Sequence, residues 1–185
     1  MRLFISAPFS PQTLDALEQT QALLRANGVN GSFVPRRNLH MTLAFLGEVA
    51  SAAPALAALE AVPFPRIDAE FVSVTQLRDL LFCELRVQKA FADSVGALRD
   101  VLEARNIPFD RKPFRPHITL VRRAEFSEFT SVQACGRTLR GVRFGIDRVQ
   151  LMRTDFVNRC AKYTVLLTCM CCMESQETEK LTKRK

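Results

Sequence analysis

The chain of 185 residues contains no tryptophan, one tyrosine and only two histidines, His40 and His117. It also lacks a long apolar run, because the longest one, at 165–173, is interrupted by Thr168 and falls far short of the roughly 20 residues of a membrane span. The N-terminus has one arginine and a brief apolar stretch that stops at Pro8, which does not resemble a secretion signal. We therefore expect a cytoplasmic protein without a membrane anchor.

Six cysteines are present, but their spacing does not match a metal site. Three of them, Cys169, Cys171 and Cys172, crowd into four positions and lack the Cys-x₂-Cys spacing of structural zinc. No second cluster of Cys or His completes four ligands. In the absence of a secretion signal, reduced thiols are the expected state. We expect no metal and no cofactor.

The formal net charge is +7, and the composition is 48% hydrophobic and 24% charged. These values are typical of a globular protein rather than of a disordered chain. We expect one domain at 1–170 and a disordered polar tail at 171–185. The tail carries four basic and three acidic residues, a net charge of +1, so the domain itself has a charge of +6. A basic surface favours a polyanionic partner, nucleic acid first.

Hydrophobic periodicity predicts an alternation of helices and strands that is not regular. Strands are predicted at 2–7, 38–46, 71–77, 80–87, 116–121, 142–152 and 163–169, and helices begin at Ser10-Pro11, near Ser51 and near Phe91. This order does not have the strict repetition of a doubly wound parallel sheet, so an α+β fold is predicted.

Both histidines open the same pattern, His-x-Thr-Leu, once at 40–43 and once at 117–120. Each copy lies in a strand-like segment that follows a helix and a basic loop, one in each half of the chain. This weak internal repeat predicts two related lobes.

The pattern has a chemical meaning because side chains alternate between the faces of a strand. His40 and Thr42 point to one face, as do His117 and Thr119, while the residues between them anchor each strand in the core. Imidazole has an unperturbed pKa near 6.5, so one ring can be neutral while its partner is protonated. Such a pair can take a proton from water and give one to a leaving oxygen. Threonine hydroxyls can donate hydrogen bonds to phosphate oxygens.

Two other interpretations exist for the histidines. A lone histidine on a strand is more often structural than catalytic, but two with one motif, and no others, reverse that expectation. A metal site would need carboxylate or thiolate partners. The nearest acids are Glu48, beyond the first motif strand, and Asp110, seven residues before His117. Metal-free acid–base chemistry is therefore the preferred hypothesis.

Basic residues surround both motifs. Arg36 and Arg37 precede the first, and six basic residues against one acid occupy 105–123. For Arg115 and Arg122, which bracket the second motif, contact with phosphate and a solvated charged face remain equal alternatives.

These motifs resemble the two-histidine phosphoesterase superfamily. The segments MRLFISAPF, NLHMTLAFLGEV and FRPHITLVRR look like its RNA 2′,3′-cyclic phosphodiesterase branch, also called 2′-5′ RNA ligase-like, over roughly residues 1–168. The resemblance implies two pseudo-symmetric α+β lobes, each with antiparallel-rich sheet and flanking helices, around a central cleft. It also implies metal-free hydrolysis of an RNA 2′,3′-cyclic phosphate to a 2′-phosphate, and we expect a monomer that binds such RNA ends.

By the same resemblance, His40 protonates the departing 3′ oxygen and His117 activates the water. Thr42 and Thr119 hold the phosphate. Arg122 would contact the phosphate or nucleotide, and Phe45 would stack on the base. Both of these last residues lie five positions after their histidine, which strict alternation puts on the opposite face.

The chain departs from its relatives in two places, since relatives often have Trp at the position of Phe33 and a glycine-bearing loop at 158–162. These departures concern substrate contacts. Two rival functions stay open at this point: the same chemistry on another cyclic phosphate or a 2′-5′ linkage, and an RNA-binding module without activity.

Overall fold

The computed structural model describes residues 1–127, 130–158 and 160–172. Its strands are β1 (Arg2–Ala7), β2 (Asn30–Phe33), β3 (Met41–Glu48), β4 (Ile67–Leu77), β5 (Leu80–Arg86), β6 (His117–Glu125), β7 (Arg143–Ile146), β8 (Arg148–Val157) and β9 (Cys160–Met170). Its helices are α1 (Pro11–Ala26), α2 (Ala53–Glu60), α3 (Lys89–Ala104) and α4 (Val132–Cys135). The predicted α+β class is confirmed.

All nine strands belong to one curled, antiparallel half-barrel sheet. The strand order is β7-β4-β5-β6-β3-β1-β8-β9, and β2 adds to β6 beside this path. The two halves of the sheet, β7-β4-β5-β6 and β3-β1-β8-β9, meet where β6 pairs with β3. In each half a long helix connects two antiparallel neighbours, α1 between β1 and β3 and α3 between β5 and β6. The predicted pair of pseudo-symmetric lobes is thus confirmed.

Local sequence explains how the two long helices begin and end. The Ser10 side chain accepts a hydrogen bond from the Thr13 backbone N–H at 3.2 Å, and Pro11 occupies the first helical turn of α1. Gly28, with φ of +82°, ends that helix in a conformation that glycine adopts without strain. In α3, every third or fourth side chain is fully buried in the core, namely Phe91, Val95, Leu98 and Leu102.

The predicted strands at 71–77, 116–121 and 163–169 are each longer in the structure, β2 and α4 were not predicted, and two further predicted strands are wrong. The segment 142–152 contains two strands, β7 and β8, separated at Asp147, and they pair with different partners, β4 and β1. The alternation of apolar residues shifts by one position at this break, from Phe144 and Ile146 before it to Val149 and Leu151 after it, and the prediction of one strand overlooked that shift. The predicted strand at 38–46 begins instead at Met41, because Arg36–Asn38 form a 3₁₀ turn after Pro35.

No helix in the described ranges is long and apolar enough to cross a membrane.

The chain end is described only in part. The backbone N–H groups of Cys171 and Cys172 donate to the carbonyls of Asp147 and Phe64. The rest of the predicted tail, 173–185, lies outside the described residues.

Candidate active site

The two motif strands bring the two histidines to one cavity. Met41 of β3 pairs directly with Ile118 of β6, and both side chains are fully buried. Directly opposed residues of an antiparallel pair share a face, so the residues on either side of this pair project from the other face. His40, Thr42, His117 and Thr119 accordingly line a single cavity of about 360 Å³. Two segments 77 positions apart in the sequence therefore form one site.

Each imidazole is anchored through the same ring nitrogen. Nδ1 of His40 lies 2.7 Å from the Asn38 carbonyl oxygen, and Nδ1 of His117 lies 2.7 Å from the Arg115 carbonyl oxygen. A carbonyl oxygen can only accept, so Nδ1 carries the proton in both rings. Nε2 is then the nitrogen available for proton transfer. Nε2 of His40 lies 3.1 Å from Thr42 Oγ1, which can donate its hydroxyl hydrogen to the neutral ring.

The surroundings of His40 favour its neutral form. Its ring centroid lies 4.9 Å from that of Phe4 and 5.4 Å from that of Tyr163, which meets it edge-on. The pKa of His40 is lowered from 6.5 to about 4, mainly by burial; the Asn38 hydrogen bond opposes this shift, and the positive charges of Arg122 and His117 contribute to it. His40 is therefore neutral at neutral pH in the free protein.

A bulge in β3 places Phe45 on the face of the histidines. Ser6 of β1 pairs with Thr42, but the preceding residue of β1 pairs with Ala44, so β3 contains one extra residue here. Leu43 and Ala44 are consequently both buried, and the alternation resumes with Phe45 exposed. Phe45 lines a cavity next to the first one, together with His40.

An equivalent bulge in β6 does the same for Arg122. Phe82 of β5 pairs with Thr119, and the preceding residue of β5 pairs with Val121. Leu120 and Val121 are both fully buried, and Arg122 returns to the face of the motif histidines. It lines the cavity that holds both of them. The face expected for Phe45 and Arg122 from strict alternation is wrong, because both strands bulge at the same place after the motif.

Arg115 occupies a different position from the other residues predicted for the site. It is exposed and lines two grooves beside His117, not the cavity that His40 and His117 share. Its observed contact with the site is the backbone carbonyl that holds Nδ1 of His117.

Several residues of the cavity were not found from the sequence. Asn38 is buried, and its side-chain Nδ2 donates to the Ala161 carbonyl at 2.9 Å, which ties the 3₁₀ turn to β9. Tyr163 packs against His40. Arg37 and Arg123, which the sequence places among the basic residues around the motifs, add positive charge to the cavity wall. Asn38 lies two positions before His40, and this proximity was the local signal in the sequence that could have identified it. The contact with β9 joins residues 123 positions apart and has no local signature.

The described part of the chain holds no group of three or more His, Cys, Asp or Glu side chains arranged to bind a metal ion. The polar groups that line the cavity include two imidazoles, threonine hydroxyls and guanidinium groups. This set can transfer protons and bind an anion such as phosphate.

Comparisons with known proteins agree with this architecture. The family model of the 2′-5′ RNA ligase superfamily matches residues 9–158. The structure of Escherichia coli LigT in apo form is similar, with 22% identity, a TM-score of 0.73 and coverage of 92% of this chain and 96% of that one. TT0787 of Thermus thermophilus has 26% identity, a TM-score of 0.72 and coverage of 94% and 100%.

The E. coli LigT structure complexed with 3′-AMP has 23% identity, a TM-score of 0.70 and coverage of 92% of this chain and 96% of that one. No curated protein sequence matches the chain.

Proposed function

The chain belongs to the 2′-5′ RNA ligase superfamily of two-histidine phosphoesterases, and from this premise we propose that it hydrolyses RNA 2′,3′-cyclic phosphate ends to 2′-phosphates without a metal ion. The observation that carries the proposal is the shared cavity, in which two imidazoles anchored through Nδ1 each have Nε2 available. A phosphorus atom between them would have a proton acceptor on one side and a proton donor on the other.

In this mechanism, Nε2 of His117 takes a proton from water as the water oxygen forms a bond to phosphorus. The bond from phosphorus to the 3′ oxygen breaks, and His40 gives its Nε2 proton to that oxygen. The hydroxyls of Thr42 and Thr119 and the guanidinium of Arg122 bind the non-bridging oxygens, where negative charge increases in the transition state. Exchange of one proton with solvent returns both rings to their starting states.

The donor role of His40 requires that substrate binding protonate it. Burial and the nearby charge of Arg122 keep this ring neutral in the free protein. A bound phosphate anion would offset the positive charge of Arg122 and supply a negative partner, and both changes raise the pKa of a histidine. Binding of the substrate would then be coupled to binding of a proton by His40.

The cavity wall supports a nucleotide end as the substrate. Arg37, Arg122 and Arg123 line it, so its charge suits a polyanion. The LigT structure with 3′-AMP shows that a similar fold accommodates a nucleotide.

Because one chain supplies both histidines, we expect a monomer to be active. Free thiols at the described cysteines fit the reducing cytoplasm. Other cyclic phosphates and 2′-5′ linkages are the alternative substrates.

A product assay on a short RNA with a 2′,3′-cyclic phosphate end tests the proposal. We expect a 2′-phosphate product by ³¹P NMR, no loss of rate with EDTA, and a rate at least about 100-fold lower for His40→Ala and for His117→Ala. Arg140→Gln, an exposed change beyond α4 and outside the cavity, is the control and should leave the rate unchanged. RNA binding without turnover would support the binding-module interpretation instead. Strong inhibition by EDTA would contradict metal-free chemistry.

A further inference from the structure

A second cavity continues from the first on the side of His40. It has a volume of about 480 Å³ and shares His40, Thr42 and Arg122 with the first. Its outer wall consists of Arg2, Phe45, Thr154 and Phe156. We call the surface formed by Arg2, Phe45 and Phe156 the Arg2 groove. A ligand in the first cavity can therefore extend through the second one, toward the beginning of β1 and the end of β8.

The strand register explains why these side chains share a face. Arg2 of β1 pairs directly with Thr154 of β8, and Phe156 lies two residues further on the same strand. Phe45 reaches this face through the bulge in β3. The Arg2 guanidinium carbon lies 4.9 Å from the centroid of the Phe45 ring and 6.0 Å from that of Phe156.

The Arg2 groove exposes aromatic side chains that a folded protein usually buries, beside an arginine. Phe156 is 63% exposed and Phe45 is 36% exposed. Within the described ranges, Arg2 forms no salt bridge, so its charge is not neutralised there. Proteins that bind single-stranded nucleic acid use exposed aromatic rings beside cationic side chains, because bases stack on the rings and the cations contact the phosphates.

The proposed reaction fixes which side of the site the RNA body occupies. The departing 3′ oxygen remains attached to ribose, so the nucleoside lies on the side of its proton donor, His40. Water enters from the opposite side, where His117 lies. The second cavity opens beside His40 and not beside His117. The preceding nucleotide therefore leaves the reacting phosphate in the direction of the Arg2 groove.

We propose that the Arg2 groove binds the nucleotide that precedes the cyclic-phosphate nucleotide, so that the preferred substrate is a single-stranded RNA end of at least two nucleotides. This inference rests on the proposed function. The base of that nucleotide stacks on Phe156, and Arg2 contacts the phosphodiester that joins the two nucleotides. Phe45 forms the wall between this position and the reacting phosphate.

The test compares a cyclic mononucleotide with a dinucleotide that ends in the same 2′,3′-cyclic phosphate. For the native chain, we expect kcat/KM to be about 10-fold or more higher for the dinucleotide, as expected for one stacked base. Phe156→Ala and Arg2→Gln should reduce this dinucleotide-to-mononucleotide ratio toward one. Arg2→Gln should also reduce by about 0.7 the slope of the logarithm of kcat/KM for the dinucleotide against the logarithm of salt concentration. Arg140→Gln, the control, should change neither ratio nor slope.

The mononucleotide arm separates this proposal from the proposed function. Turnover of the mononucleotide with a ratio of one in the native chain, or a ratio that neither substitution changes, would overturn the groove assignment and leave the activity in place. If neither substrate is hydrolysed, the activity is wrong. In that case, binding of a dinucleotide 2′-phosphate is measured by fluorescence anisotropy. Weaker binding by Phe156→Ala and Arg2→Gln supports the groove assignment, and native-like binding overturns it.

Discussion

The protonation of His40 gives the sharpest prediction. Its pKa of about 4 in the free protein means that about one molecule in a thousand carries the Nε2 proton at pH 7. A ring that donates a proton in each turnover must be largely protonated in the complex, which requires a pKa near 7 or above. An increase from about 4 to about 7 corresponds to roughly 4 kcal/mol of interaction between the imidazolium and the bound phosphate. One charge-assisted contact at close range in a partly buried cavity is of this size.

The assay is an imidazole ¹⁵N NMR titration, which is simple because the chain has only two histidines. The signals are assigned with His117→Gln. We expect His40 to titrate near pH 4 in the free protein and at least two pH units higher with a saturating nucleoside 2′-phosphate. In the free protein, Arg122→Gln should raise the pKa of His40, since the charge of Arg122 lowers it.

Two results would refute this reasoning. Titration of His40 near pH 6.5 in the free protein would show that burial does not disfavour its charged form. A pKa that stays near 4 with phosphate bound would remove the donor role. His40 would then be the base of the reaction, which also fits the Thr42 hydroxyl at 3.1 Å from Nε2.

Three further predictions concern the two motif threonines, Asn38 and the dependence of stability on pH. Thr42→Val and Thr119→Val should each reduce kcat by about 100-fold without unfolding, because each removes a donor to the phosphate oxygens; a native kcat in either would exclude that role. Asn38→Ala should cost about 1 kcal/mol of stability through the lost bond to the Ala161 carbonyl, measured by urea unfolding; an unchanged midpoint would contradict this. Since the pKa of His40 is lower in the folded chain, its contribution to the unfolding free energy should be constant above pH 6.5 and fall by roughly 3 kcal/mol as the pH decreases to 4, and His40→Asn should lack this part of the acid loss.

Most of the geometry of the candidate site is a local property of the sequence and could be predicted. The alternation of a strand places His40 beside Thr42 on one face, and the repetition of the motif implies two equivalent strands. The α+β class followed from the order of elements alone. The antiparallel pairing of Met41 with Ile118 then puts both copies on the same face, as the predicted central cleft requires.

The remaining features depend on contacts that a single sequence does not contain. A bulge is defined by how a strand pairs with its neighbour, so the positions of Phe45 and Arg122 could not be deduced from β3 or β6 alone. Tyr163 reaches His40 from β9, on the far side of β1 and β8 in the sheet. The break at Asp147 is an exception, because the alternation of apolar residues shifts there by one position, from Ile146 to Val149.

The duplicated motif strands have a consequence for proton affinity. Two identical halves would present two imidazoles with equal affinity for a proton, so either ring could be the donor and neither would be fixed in one role. Joining the halves in one polypeptide lets each ring acquire its own neighbours: Phe4 and Tyr163 enclose His40, while Phe82 meets His117 edge-on. A repeated scaffold supplies the matched positions, and its departures from symmetry distinguish the proton donor and the proton acceptor that we propose.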